Sequence, residues 1–195
     1  KFNGKPIIFY SLESALKSKI FSEIHISTDN KNINNMIKRY PINIDFLRPK
    51  NLSGDDTGLM KVFEYVIKKY ESFGKTFDEI WYLTPCSPLI KPSNLKSASI
   101  FFKKKSVKCL LAVSKFSPPT QWALKLNNYG MLLPIYKNKL NYKSQDLEKR
   151  FYDTGTFGAF KSNVFKKKSK ISYTGYHIPR FQGIDIDTME DWKLA

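Results

Sequence analysis

Long apolar runs are missing from this sequence. None reaches the roughly 18 residues that cross a bilayer, so no membrane-spanning helix is expected. Cysteine is scarce: Cys86 and Cys109 form neither a disulfide framework nor a metal-ligand spacing, and a reducing cytoplasm is the expected setting. Histidine is equally scarce. His25 lies in an apolar stretch and reads as a core residue, and His177 stands just before Pro179 with no evident partner, so neither supports Cys86 as a nucleophile. Leader-like patterning is also lacking: Lys1-Phe2-Asn3-Gly4 is polar and leads straight into an amphipathic segment. Acidic residues are few, 17 Asp+Glu against 33 Lys+Arg, which leaves a formal charge of +16. Such a balance suits a polyanionic partner, but it also suits a lysine- and asparagine-biased composition. The second reading is preferred. The runs Lys103-Lys104-Lys105 and Lys166-Lys167-Lys168 lie far apart, and no zinc-finger, homeodomain or RNA-recognition motif accompanies them.

What is present is enough for one core-forming domain: 195 residues, 42% hydrophobic. Strand and helix patterns alternate through the first hundred residues. Ile8, Leu12, Ala15 and Leu16 recur at helical spacing after Pro6. Glu23–Ser27 is short and β-branched and reads as a strand. Asp29 or Asn30 is placed to cap a helix with Ile33, Met36, Ile37 and Tyr40 on one face. Ile42–Leu47 reads as a second strand, and Leu59, Val62, Phe63, Val66, Ile67 and Tyr70 as one helix face. Ile80–Leu83 and Cys109–Val113 read as buried strands on either side of a helix opened by Pro92 and Ser93. This alternation argues an α/β fold, a mostly parallel sheet covered by helices in three layers. The rhythm breaks over residues 117–150, where Ala123–Leu126 and Met131–Leu133 look like a hairpin in an inserted arm. Regular patterning returns at Gly155–Phe160 and ends in Gly183–Asp187 before a helix start.

Four stretches carry polar chemistry. In Gly183-Ile184-Asp185-Ile186-Asp187-Thr188, period two places Asp185 and Asp187 on one face, where two carboxylates suit a hard cation such as Mg²⁺. Thr188 is placed to cap the next helix with Asp191 as its acidic partner. The same residues would also suit a solvated strand end. Leu47-Arg48-Pro49, followed by Asp55-Asp56-Thr57, is a strand end leading into a helix start, a common setting for ligands in open α/β sheets. Leu83-Thr84-Pro85-Cys86-Ser87-Pro88 follows another strand end with small hydroxyls, and reads equally as a Pro-Ser turn. Lys143-Ser144-Gln145-Asp146-Leu147 and Tyr152-Asp153-Thr154-Gly155-Thr156-Phe157 mix amides, hydroxyls and a cation with aromatics, which suits a polyhydroxylated acid or simple arm packing.

Each stretch is weak alone; their order is not. Lys5-Pro6-Ile7-Ile8-Phe9-Tyr10-Ser11, Ser27-Thr28-Asp29, Leu47-Arg48-Pro49, Pro85-Cys86-Ser87-Pro88, Ser144-Gln145-Asp146-Leu147 and Asp185-Ile186-Asp187-Thr188 together resemble the acylneuraminate cytidylyltransferase, or CMP-sialic acid synthetase, family. The Ser-Gln-Asp-Leu and Tyr-Asp-Thr-Gly-Thr-Phe segments, with Gln121 before Ala123-Leu124-Lys125, look most like its pseudaminic acid branch. The resemblance implies a sheet of nucleotide-diphosphosugar-transferase type and a homodimer whose arm, residues 117–150, completes the neighbour's sugar site. It implies CTP, Mg²⁺ (or Mn²⁺) and an acidic nine-carbon sugar: pseudaminic, N-acetylneuraminic or a related nonulosonic acid. The sugar's anomeric hydroxyl would attack the α-phosphorus and pyrophosphate would leave.

By position, Asp185 and Asp187 would be the catalytic metal holders. Arg48, Asp55 and Thr57 would bind the nucleotide, and Thr84, Ser87, Gln121, Lys143, Gln145, Thr154 and Phe157 the sugar. The positive charge would then help draw in a triphosphate and an acidic sugar. Three positions depart from the pattern: Leu59 replaces a hydroxyl residue, Thr84 a larger polar or aromatic one, and Tyr152 a basic one. The family's opening strand and basic glycine-containing loop, Ala-Arg-Gly-Gly-Ser-Lys in outline, would precede Lys1. Without that phosphate cradle the chain is expected to expose two strand edges, bind CTP poorly and turn over slowly. The rival readings are a catalytically inactive remnant and a basic nucleic-acid-binding module with steeply salt-dependent affinity. The resemblance itself predicts neither a nucleic-acid nor a membrane partner.

Overall fold

A computed structural model of the chain describes residues 1–42, 44–104, 107–166 and 171–195. Lys105, Lys167 and Lys168 of the two lysine runs, and Asn43 of an expected strand, lie outside the described residues. The elements are α1 (Ile8–Ser18), α2 (Asn32–Ile37), α3 (Leu59–Ser72), β1 (Glu79–Leu83), α4 (Pro92–Lys104) and β2 (Cys109–Lys115). They are followed by β3 (Leu124–Leu126), β4 (Leu132–Pro134), β5 (Phe151–Lys161), β6 (Thr174–His177) and α5 (Met189–Leu194). The central sheet has the order β1-β5-β2-β6. β5 runs antiparallel to both β1 and β2, while β6 pairs parallel to β2. Strands β1, β2 and β6 therefore point one way and β5 alone runs against them.

The alternation of side chains along β1 explains the layers. Trp81 faces Phe102 of α4, ring centroids 5.8 Å apart, while its neighbour Tyr82 stacks on Phe63 of α3 at 5.4 Å. Helix α4 therefore covers one face and α3 the other. The core on the α4 side joins Leu95, Ala98 and Phe102 to Leu110, Ala112, Phe157 and Ala159. Helix α1 lies beside α4, with the Ser14 hydroxyl donating to the Ile90 carbonyl at 2.6 Å. A second cluster gathers Phe9 and Leu12 of α1 with Ile37 and Ile42.

Three expectations change. Among the described residues, Glu23–Ser27 and 42–47 enter no ladder. Their isoleucines 24, 26 and 44 pack on the α1–α2 cluster, and apolar packing without a hydrogen-bonded neighbour does not make a strand. Helix α2 ends at Ile37, before Tyr40, and leaves Met36 exposed, so the expected stripe is cut short. Gly183–Asp187 also forms no ladder; its tie to the sheet is the Ile186 N–H donating to the Cys86 carbonyl at 3.0 Å. Thr188 does cap α5, and its reciprocal box with Asp191 is complete.

Candidate active site

The sheet is distorted beside the acidic pair. Between the partners of Leu111 and Val113, β2 supplies Ala112 alone while β5 supplies residues 154–157. The extra length is absorbed at Gly155, which sits at φ +69°, open to glycine and strained for residues with a Cβ. A Cβ there would come within 3.0 Å of the Asp185 carboxylate. The absence of a side chain thus lets Asp185 approach the β5 backbone.

Two hydroxyls from the turn after β1 complete the cradle. Thr84 Oγ1 and Ser87 Oγ hydrogen-bond each other and both lie against Asp185 Oδ1, at 3.3 and 3.2 Å. The turn is fixed from two sides: Thr84 N–H donates to the Thr156 carbonyl at 2.9 Å, and Ser11 Oγ of α1 donates to the Thr84 carbonyl at 2.8 Å. Burial first, and then the nearby charge of Asp187, push the Asp185 carboxyl above its ordinary value, while the two hydroxyls oppose the shift. Asp187 itself is exposed. Burial and the same two carboxylates push the Cys86 thiol up as well, so it is held protonated and is a poor nucleophile.

The other expected residues divide by position. Arg48 is half-buried, its N–H bonded to the Thr28 carbonyl at 2.8 Å and its Nε to Ser53 Oγ at 3.2 Å. Thr57 is half-buried and Asp55 exposed in the loop that enters α3. Thr154 is buried with its hydroxyl committed to the Ala112 carbonyl and Thr156 Oγ1, both at 2.8 Å. It braces the bulge and has no free hydroxyl to offer a sugar. Phe157 is fully buried among Trp81 and Tyr176, so the expectation of a sugar contact fails on access alone. Gln121 is buried too, its Nε2 donating to the Glu148 carbonyl at 2.9 Å. Lys143 and Gln145 are exposed on the arm; among the described residues neither bonds the Asp185 group. Trp122 is half-buried, and among the described residues its indole N–H has no partner.

A family profile described as Cytidylyltransferase matches residues 1–151. The chain belongs to the cytidylyltransferase family. Within it, a pseudaminic acid cytidylyltransferase of Campylobacter jejuni is 33% identical over the whole of this chain and 85% of that protein. A CMP-N,N'-diacetyllegionaminic acid synthase of Legionella pneumophila is 28% identical over 98% of this chain and 84% of that protein. The fold is that of cytidylyltransferases as well. A CMP:2-keto-3-deoxy-manno-octonic acid synthetase complexed with CTP superposes with a TM-score of 0.63 at 14% identity, covering 91% of this chain and 81% of that one. A 4-diphosphocytidyl-2C-methyl-D-erythritol synthase from Anaerococcus prevotii gives 0.60 at 11% identity, over 100% and 89%.

Sequence reasoning missed two things in this cytidylyltransferase. Thr84 and Ser87, expected as sugar contacts, also hold Asp185 through their hydroxyls, a role the sequence does not announce. The other is Gly155, whose clue is its place two residues after Asp153 in the polar segment 152–157.

Proposed function

We propose that this cytidylyltransferase transfers CMP from CTP to an acidic nine-carbon sugar of the pseudaminic or related nonulosonic class, releasing pyrophosphate for glycan biosynthesis. The observation that carries the chemistry is the Asp185 cradle, a fixed, half-buried carboxylate beside a second one at the end of the sheet. The 33% identity to a pseudaminic acid enzyme supports the acceptor class.

The pair fits a hard divalent cation such as Mg²⁺. Its donors are oxygens, and a cation between them would relieve the repulsion felt at Asp185. Among the described residues no third His, Cys, Asp or Glu joins them, so further ligands would be phosphate oxygens and water. When bound, the ion would neutralise charge on the departing pyrophosphate. The protein's own part is positioning. Thr84 and Ser87 hold Asp185 in one rotamer. Arg48, anchored through Nε to Ser53, presents its terminal amino groups to the cytosine edge. The acceptor's anomeric oxygen bonds to the α-phosphorus as the bond to pyrophosphate breaks, and the hydroxyl proton passes to solvent water.

The arm supports a homodimer. Leu124, Leu126 and Leu132 are exposed together on one face of the β3–β4 hairpin, an apolar patch that suits a second copy of the chain. Lys143 and Gln145 on the same arm would then reach the neighbouring acceptor site.

Pyrophosphate release from CTP, Mg²⁺ and pseudaminate or N-acetylneuraminate tests the proposal. The Asp187→Asn variant should fall by about 100-fold or more, as expected for lost stabilisation of developing charge. Undiminished turnover by that variant would remove Asp187 from the reaction.

A further inference from the structure

Helix α1 carries serine at 11, 14 and 18, a spacing that sets all three on one stripe. All three are buried, a costly place for a hydroxyl without a partner. A helical serine commonly returns its O–H to its own helix, and Ser18 does so, donating to the Ala15 carbonyl at 2.6 Å. Ser11 and Ser14 instead reach out of the helix. Ser11 Oγ donates to the Thr84 carbonyl at 2.8 Å and lies 3.5 Å from the Ser87 carbonyl. Ser14 Oγ donates to the Ile90 carbonyl at 2.6 Å. We propose that Ser11 is a positioning residue for the reaction: its hydroxyl holds the 84–87 turn closed, and the closed turn sets the Asp185 carboxylate. This rests on the reading of Asp185 as a metal holder.

The turn needs a donor from outside. Pro85 and Pro88 bring no N–H, so this stretch is short of donors for its own carbonyls. Among the described residues the Thr84 carbonyl receives its hydrogen bond from Ser11. On its other side Thr84 donates its N–H to the Thr156 carbonyl at 2.9 Å. Thr84 is thus pinned at its N–H by β5 and at its carbonyl by α1. That leaves its Oγ1 where it meets both Ser87 Oγ and Asp185 Oδ1. Ser11 also faces the carbonyls at the two ends of the turn, so one oxygen sets the span that brings the Thr84 and Ser87 hydroxyls together. Two hydrogen bonds therefore separate α1 from the carboxylate: Ser11 to the Thr84 carbonyl, and the Thr84 hydroxyl to Asp185.

Ser14 supplies the contrast. It shares residue type, helix and burial with Ser11, and it too gives one hydrogen bond to a distant carbonyl. Its bond falls at Ile90, beyond the turn, and among the described residues its hydroxyl touches neither Thr84 nor Ser87. Loss of either serine hydroxyl leaves a buried carbonyl without that donor and should cost similar stability. Only the loss at Ser11 frees the peptide between Thr84 and Pro85 to tilt, and with it the hydroxyls that hold Asp185.

Ser11→Ala and Ser14→Ala, compared on the full chain, test this with three readouts. The first is labelling of Cys86 by a disulfide reagent such as dithiobis(nitrobenzoate); Cys86 is half-buried in the turn, whereas Cys109 is buried in the sheet. The second is binding of Mn²⁺ alone, followed by the electron paramagnetic resonance of the free ion. The third is pyrophosphate release. Ser11→Ala should label faster, and its Mn²⁺ affinity and kcat should each fall by about tenfold, the scale for groups that orient a metal ligand. Ser14→Ala should melt as low as Ser11→Ala yet keep wild-type labelling, Mn²⁺ affinity and kcat. A Ser11→Ala protein with wild-type labelling or wild-type kcat would overturn the proposal and leave the acidic pair in place. Equal losses in the two variants would overturn it as well, since general loosening of α1 would then suffice. A wild type that binds no Mn²⁺ would overturn the metal reading, and with it the part of Ser11 in the reaction.

Discussion

Gly155 and Asp185 show how much one missing side chain can decide. Gly155→Ala would introduce strain at φ +69° and a contact of 3.0 Å with the carboxylate. The expected cost is about 1–2 kcal/mol of stability, read by urea denaturation, with a larger proportional loss of turnover because Asp185 must move. Glu13 gives a pH signature elsewhere. Hydrogen bonds from Tyr40 and then Lys5 lower its carboxyl from 4.5 to about 2. A depressed carboxyl favours the folded state above its unfolded value. That contribution is whole above about pH 4.5 and is lost as pH falls through about 2. Melting temperature should therefore drop less steeply over this window in Glu13→Gln than in the wild type.

Among the elements, α1, α3, α4, β1 and β2 were legible because each carries a complete period of apolar residues. Leu95, Ala98 and Phe102 of α4 are all fully buried, as their spacing requires. The segments read as strands at 23–27, 42–47 and 183–187 were not, because alternation reports which face is apolar and says nothing about whether a neighbour accepts the backbone bonds. β6 escaped notice for the opposite reason: four residues with Gly175 in the middle give too little pattern, and pairing with β2 decides the matter. Site residues meet a similar limit of pattern. Thr84, Thr154 and Phe157 lie in a ligand-like stretch, but which side each faces depends on the bulge, which sequence does not announce. Local capping was readable. Thr188→Ala removes the bond from Asp191 N–H and should cost about 1 kcal/mol. Because α5 follows Asp187 directly, activity should fall with it, measured as pyrophosphate release below the melting transition.

At the scale of the whole molecule the arm stands apart. Its hairpin strands are exposed except at the half-buried Pro134, with further burial left to whatever meets them. Replacing residues 124–134 by a short Gly-Ser turn should turn a dimer into a monomer of intact core, measured by light scattering and near-ultraviolet circular dichroism. An unchanged dimer would place the interface elsewhere.

The two ends of the described chain meet. Phe2 is buried between Tyr10 of α1 and Trp192 of α5, edge-on to both rings at 5.4 Å. Trp192 stands in α5, five residues after Asp187, so its surroundings are coupled to how residues 183–187 are seated. The molecule thus carries its own fluorophore one short helix away from the acidic pair. Trp81 is packed into the sheet and Trp122 into the arm, which leaves Trp192 as the emission that should report the seating of residues 183–187. A blue shift and slower quenching by iodide as Mg²⁺ is titrated would let occupancy of the carboxylate pair be followed in real time, without substrate.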